Sequence, residues 1–172
     1  MSELDNVYNA AVKLYNKMAD MIEEIYNKSK KKMNIIYSKK KLMEGFDLYF
    51  QSLLSHVAFS DGDIDKIELL FIKNISRYHN YLKKYNDQDD YEINAYSSLC
   101  LKEVPDFVKL VVAYDKTEHE AGNLTDNSEV LLELLLKLTI LLASIDEKVT
   151  QEEMTDSTKI LKPVIDYIKN NK

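Results

Sequence analysis

The sequence has no tryptophan, one cysteine, two prolines and three glycines in 172 residues. The single cysteine, Cys100, excludes an internal disulfide and any CxxC redox or metal motif. So little glycine and proline argues against a turn-rich β protein and for long helices. No stretch sustains the apolar–polar alternation of a half-buried strand, so no sheet is expected. Arginine is nearly missing: Arg77 stands alone among 23 basic residues. Without arginine's bidentate fork, and with a formal net charge of -6, no nucleic-acid partner is expected. Long hydrophobic runs are missing too. The most apolar stretch, Leu131–Ile145, is broken by Glu133 and Lys137, far short of the ~20 residues that span a bilayer. The first residues show neither the basic nor the apolar region of a signal peptide, so a cytoplasmic location is expected. A phosphate-binding glycine loop, a nucleophile elbow and an HExxH pair are all absent, and no enzyme is expected.

What is present is helical. The chain is 45% apolar and 30% charged, the balance of one globular domain that needs no crosslink to stay folded. Leu4, Val7, Ala11, Leu14, Met18, Met21 and Ile25 recur at three- and four-residue steps. They form one stripe of a helix that packs either on its own domain or against a second copy as a homodimer seam. A lysine-rich stretch follows, with Lys28, Lys30, Lys31 and Lys32 and then Lys39, Lys40 and Lys41 around Met33, Ile35, Ile36 and Tyr37. It is either a solvated connector or a contact for an acidic protein or an anionic membrane. Residues 1–41 thus form a helical extension, with the main helical domain over 42–172.

In that domain Met43, Phe46, Phe50, Leu53, Leu54, Val57 and Ala58 share a helical face. A second helix is expected over about residues 66–85, facing inward through Ile67, Leu70, Phe71, Asn74, Ile75, Tyr78 and Leu82. A shorter one carries Ile93, Tyr96, Leu99 and Cys100, and another short helix has Pro105 in its first turn, with Phe107, Leu110, Val111 and Tyr114 as its apolar residues. Residues 115–127 read as a loop. The helix after it, to Ile145, is apolar almost all round, the pattern of a bundle's buried centre. Pro163 should end or kink the last helix, leaving a terminal one from about Val164.

Shifting the sequence by 85 residues aligns two segments. The first is Leu53-xxx-Val57-Ala58-xx-Asp61-xx-Ile64-xxx-Glu68, and the second Leu138-xxx-Leu142-Ala143-xx-Asp146-xx-Val149-xxx-Glu153. Each reads as the end of an apolar helix, an acidic corner and a new helix with an early glutamate. Two pseudo-twofold-related helical hairpins are therefore expected, in an all-α compact bundle of about seven to eight helices.

The repeated Ala-x-x-Asp-(Gly)-x-apolar-xxx-Glu pattern resembles the TerB family of tellurite-resistance-associated proteins over about residues 42–162. The segment from Val104-Pro105-Asp106-Phe107 to Ala113-Tyr114-Asp115-Lys116 is similar to a stretch between the two motifs in that family. The resemblance implies a TerB-like bundle without catalysis, binding a divalent cation and working in a stress- or envelope-associated pathway. It places ligands at Asp61, Asp63 and Glu68 in the first copy and at Asp146 and Glu153 in the second. The second corner reads Asp146-Glu147-Lys148, without the glycine and with a lysine where Asp63 supplies an acid. This departure argues against a second full site and leaves open a single site fed by both corners.

Several carboxylates on a tight loop suit Ca²⁺ or another hard divalent cation. Asp61, Asp63 and Asp65, with Asp146 and Glu147 opposite, have that chemistry. The spacing starts like an EF-hand loop, but Lys66 stands where that loop needs glycine and Ile72 where it needs a bidentate glutamate. Helix capping is the competing account. Asp65-Lys66-Ile67-Glu68 and Thr150-Gln151-Glu152-Glu153 are both capping boxes. If the acids only cap, the chain is an interaction scaffold whose recruiting element is the first helix or Lys30, Lys31, Lys32, Lys39, Lys40 and Lys41. Other candidates are thinner. His56 and His79 read as packed or surface residues, and His119 lies between Glu118 and Glu120 as a possible ligand trio. Tyr78, Tyr81, Tyr85 and Tyr91 read either as a contact surface or as ordinary partly buried packing, and Cys100 reads as a small buried hydrophobe.

Overall fold

The computed structural model describes residues 3–59, 66–86, 88–143 and 158–172. Among them all regular secondary structure is helical, in one bundle. The helices are α1 (Glu3–Ser29), α2 (Lys39–Ala58), α3 (Lys66–Lys73), α4 (Asp90–Cys100), α5 (Asp106–Glu120), α6 (Asn127–Ala143) and α7 (Lys162–Asn170), with a 3-10 turn at Tyr81–Lys84. The first corner of the repeat, the second corner and the start of the helix that would follow it lie outside the described residues; that helix is seen only at its end, residues 158–160.

The stripe on α1 turns into the chain's own bundle. Val7, Ala11, Tyr15, Met18, Ala19, Ile22, Ile25 and Tyr26 are buried against α2, α5 and α6. α1 and α2 run antiparallel, since Tyr15 meets Asp47 and Glu23 meets Lys39. Ser38 opens α2, its side chain accepting from the Lys41 N–H at 3.2 Å, a capping contact worth about 1 kcal/mol.

The centre of the bundle is α2, not the more apolar α6. α2 touches α1, α3, α4, α5 and α6, and eleven of its residues are buried. α6 leaves Glu129, Val130, Glu133, Lys137 and Ile140 to solvent. The difference arises because α2's polar side (Asp47, Gln51, Ser52 and Ser55) is itself covered by α4 and the segment 75–80. At the core, Phe46 stacks on Tyr15 at 5.3 Å and meets Phe107 edge-on at 5.2 Å. Phe50 closes on Tyr15 at 5.0 Å.

The helix expected over 66–85 stops at Lys73. Its buried face is Leu69 and Ile72, continued by Ile75, while Leu70 is 51% exposed and Asn74 also faces solvent. Helical hydrogen bonding gives way because the backbone N–H groups of residues 77–79 find acceptors on α1 and α2 instead. The Asn80 side chain then takes up the Lys73 carbonyl at the helix end. α4 also departs from expectation: Ile93 and Ser97 are buried, while Tyr96 and Leu99 are exposed and Cys100 is half-buried. α5 runs to Glu120, five residues past the expected start of the loop. Two residues beyond its end is Gly122, whose φ of 85° puts it in the left-handed region that suits glycine. There the Asn123 N–H reaches the Glu118 carbonyl at 2.8 Å and the Gly122 N–H reaches that of His119 at 3.0 Å. Pro163 sits in the first turn of α7, where its missing N–H costs nothing.

Candidate functional site

Asp61, Asp63, Asp65, Asp146, Glu147 and Glu153 lie outside the described residues, as does the side chain of Glu68, whose backbone opens α3. The helices that lead into the two corners, α2 and α6, pack against each other. Among the described residues no three His, Cys, Asp or Glu side chains converge as a metal-holding group. The His119 trio separates: Glu118 turns inward, His119 bonds the Thr125 carbonyl, and Glu120 faces solvent. His56 is half-buried, its Nδ1 3.3 Å from the Ser98 hydroxyl, and burial lowers its pKa. His79 is exposed.

Three buried acids that sequence patterning did not single out as structural centres organise the loops. Asp47, fully buried on α2, accepts from the Tyr15 hydroxyl, from the Tyr78 N–H at 2.7 Å and from the His79 N–H at 2.8 Å. The Tyr15 oxygen accepts in turn from the Arg77 N–H at 2.7 Å. Burial, reinforced by Asp47, pushes the Tyr15 phenol well above its usual range, so it stays a neutral donor. Arg77 then folds back on α1, reaching Asp20 at 2.8 Å and Asn16 at 3.0 Å, and Tyr78 donates to Glu23 at 2.6 Å. Asp115 on α5 caps the next helix, accepting from the N–H groups of Asn127 and Ser128 at 3.2 and 2.7 Å and from the Thr125 hydroxyl at 3.0 Å. Glu118, also on α5, binds Lys32 and the Asn123 amide. The Lys32 ammonium holds the Glu118 carboxyl below the usual carboxylate range, against the opposing effect of desolvation. Its stabilising effect is therefore present above the ordinary glutamate pKa and is lost as pH falls through the lowered one.

The lysine-rich stretch becomes the turn between α1 and α2, residues 30–38, at one end of the pair. Its start is closed by the Met33 N–H on the Ser29 carbonyl at 2.7 Å, and its far side by the Tyr26 hydroxyl on the Tyr37 carbonyl at 3.0 Å. Lys32 ties it to Glu118 and lies 5.9 Å from the Tyr114 ring. Lys39 reaches Glu23 and Lys40 reaches Glu44, each at 3.8 Å, and Lys28 pairs with Glu24. Lys30, Lys31 and Lys41 are exposed, and their ammonium groups meet no acid among the described residues. Met33, Ile35 and Tyr37 are half-buried, while Ile36 protrudes, 91% exposed.

The tyrosines do not make one surface. Tyr81 is buried and bonds Ser97 at 2.8 Å, Tyr78 and Tyr85 are half-buried, and Tyr91 is exposed. No described helix is long and apolar enough to cross a membrane. No family model, curated protein or solved structure matches the chain.

Proposed function

We propose that the chain is a non-catalytic helical docking module that engages a polyanionic surface through the turn between α1 and α2. The observation that carries this reading is a preformed turn whose lysines exceed the acids available to them. Seven of the 23 basic residues fall within residues 28–41, which contain no acid, against 29 acids elsewhere. Lys30, Lys31 and Lys41 stay free of ion pairs among the described residues. The buried acids, in contrast, are engaged in holding loops and helix ends. The test is binding of poly-L-glutamate by the wild type and by Lys30→Gln/Lys31→Gln/Lys41→Gln. The triple variant should fold normally and lose roughly 100-fold in affinity, at about 1 kcal/mol per lysine near an anionic surface. Wild-type binding should also weaken with salt, because exposed charges are screened beyond ~8 Å at physiological ionic strength. A triple variant that binds as well as wild type would remove the turn from consideration.

A second reading is a divalent-cation site at Asp61, Asp63, Asp65 and Glu68 together with Asp146, Glu147 and Glu153. It is supported by the 85-residue repeat, by the resemblance to the TerB family, and by the packing of α2 on α6, which sets the two arms of the repeat side by side. Calorimetric titration of chelator-treated protein with Ca²⁺ and Mg²⁺ tests it. Heat that vanishes in Asp61→Asn/Asp63→Asn is expected. Equal heats for variant and wild type would leave those acids as helix caps.

A further inference from the structure

The turn carries more than charge. Ile36 stands out from it between two lysine clusters, Lys30–Lys32 before and Lys39–Lys41 after. Because α1 and α2 are antiparallel, both clusters lie at the same end of the helix pair. A large aliphatic side chain presented to water by an anchored turn gains about 1.5–3 kcal/mol from a partner that buries it.

We infer that this turn docks on an anionic membrane surface, with Ile36 entering the interfacial layer and the surrounding lysines lying among the headgroups. The inference rests on the docking reading above and names its partner. Three observations select a bilayer over an acidic protein. First, lysine is depleted in the buried centres of protein interfaces, whereas a basic rim around an apolar point suits a surface that is anionic outside and apolar beneath. Second, the contact is a single protruding residue, not the extended stripe of anchors by which helices and strands are recognised. Third, the charges are lysines on flexible stems, with no arginine in the turn. Such stems let ammonium groups settle at different depths, whereas bidentate recognition of one fixed carboxylate favours arginine. The net charge of -6 does not oppose this, because repulsion from distant acids is screened beyond ~8 Å. The turn itself needs no reordering, since Ser29, Tyr26 and Glu118 already hold it.

The chain contains no tryptophan, so Ile36→Trp introduces a single indole at the tip. Its emission should shift to the blue on vesicles of phosphatidylcholine mixed with phosphatidylglycerol, and stay unchanged on phosphatidylcholine alone. In co-flotation with the mixed vesicles, Ile36→Ser should bind at least about ten-fold more weakly than wild type, with an unaltered melting curve and unaltered binding to poly-L-glutamate. The triple lysine variant should lose both ligands. Wild-type protein that binds poly-L-glutamate but not the mixed vesicles, or an indole that binds without a blue shift, would overturn the membrane and leave the docking reading standing. An acidic protein would then be the partner class. Binding to neither would overturn both.

Discussion

Asp47→Ala is expected to cost about 3–5 kcal/mol of stability, because three donors converge on one buried carboxylate and hydrogen bonds to a charged group contribute about 1.5–3 kcal/mol each. Water can reach the Tyr78 and His79 amides once the segment loosens, which keeps the total below a simple sum. The Tyr15 hydroxyl, in the aromatic cluster, has no such recourse. At about 2–4 °C per kcal/mol for a chain of this size, the melting temperature should fall by roughly 10 °C. Asp47→Asn keeps one acceptor oxygen but turns an amide toward the remaining donors, so it should recover only part of the loss. Urea unfolding of both variants decides the matter. A loss under about 1 kcal/mol for alanine would mean that the segment 75–80 is held by something other than Asp47.

Phe46→Ala should cost a similar amount, about 3–5 kcal/mol, for a different reason. The ring is fully buried and touches Tyr15, Phe50 and Phe107, which belong to three helices. Those rings are fixed by their own neighbours, so the vacated space can collapse only in part. Ile140→Ala is the control: the side chain is 48% exposed and the loss should stay below about 1 kcal/mol. A Phe46→Ala loss no larger than that of Ile140→Ala would show that the aromatic cluster is loosely packed. The Phe46 and Asp47 changes should not add, because Tyr15 serves both as stacking partner and as donor.

The helices were legible where one face alone is apolar. The 3-4 spacing of α1, the Phe46–Phe50–Leu53 face of α2 and the position of Pro163 carry through to the structure, while Pro105 sits just before α5 as its N-cap and not in its first turn. What failed has one physical source. Sequence patterning assigns polar residues to solvent, and in α2 the polar side is buried. Asp47, Gln51, Ser52 and Ser55 were therefore left out of the buried face read for α2, and the more uniformly apolar α6 passed for the centre. The early end of α3 follows from the same blind spot: its cause is a carboxylate and a phenol more than twenty residues away in the chain. A buried aspartate can be suspected when it sits between aromatic core residues, as Asp47 does between Phe46 and Tyr49, but the pattern does not say what it would bind. The acidic corners, the clearest motif in the sequence, lie outside the described residues, whereas the lysine turn, read first as a connector or contact, is the surface feature with the best-defined geometry.

The seam between α2 and α4 has a dynamic consequence. Ser52, Ser55 and Ser97 line it and Tyr81 reaches across to Ser97, while α4 itself contributes Ile93 as its one buried aliphatic residue. Separating α4 from α2 therefore exposes little hydrocarbon and mostly groups that water satisfies well. α4 is expected to lift from the rest by fluctuations costing less than global unfolding, so that in native-state hydrogen exchange its amides should exchange before those of α1, α2 and α5.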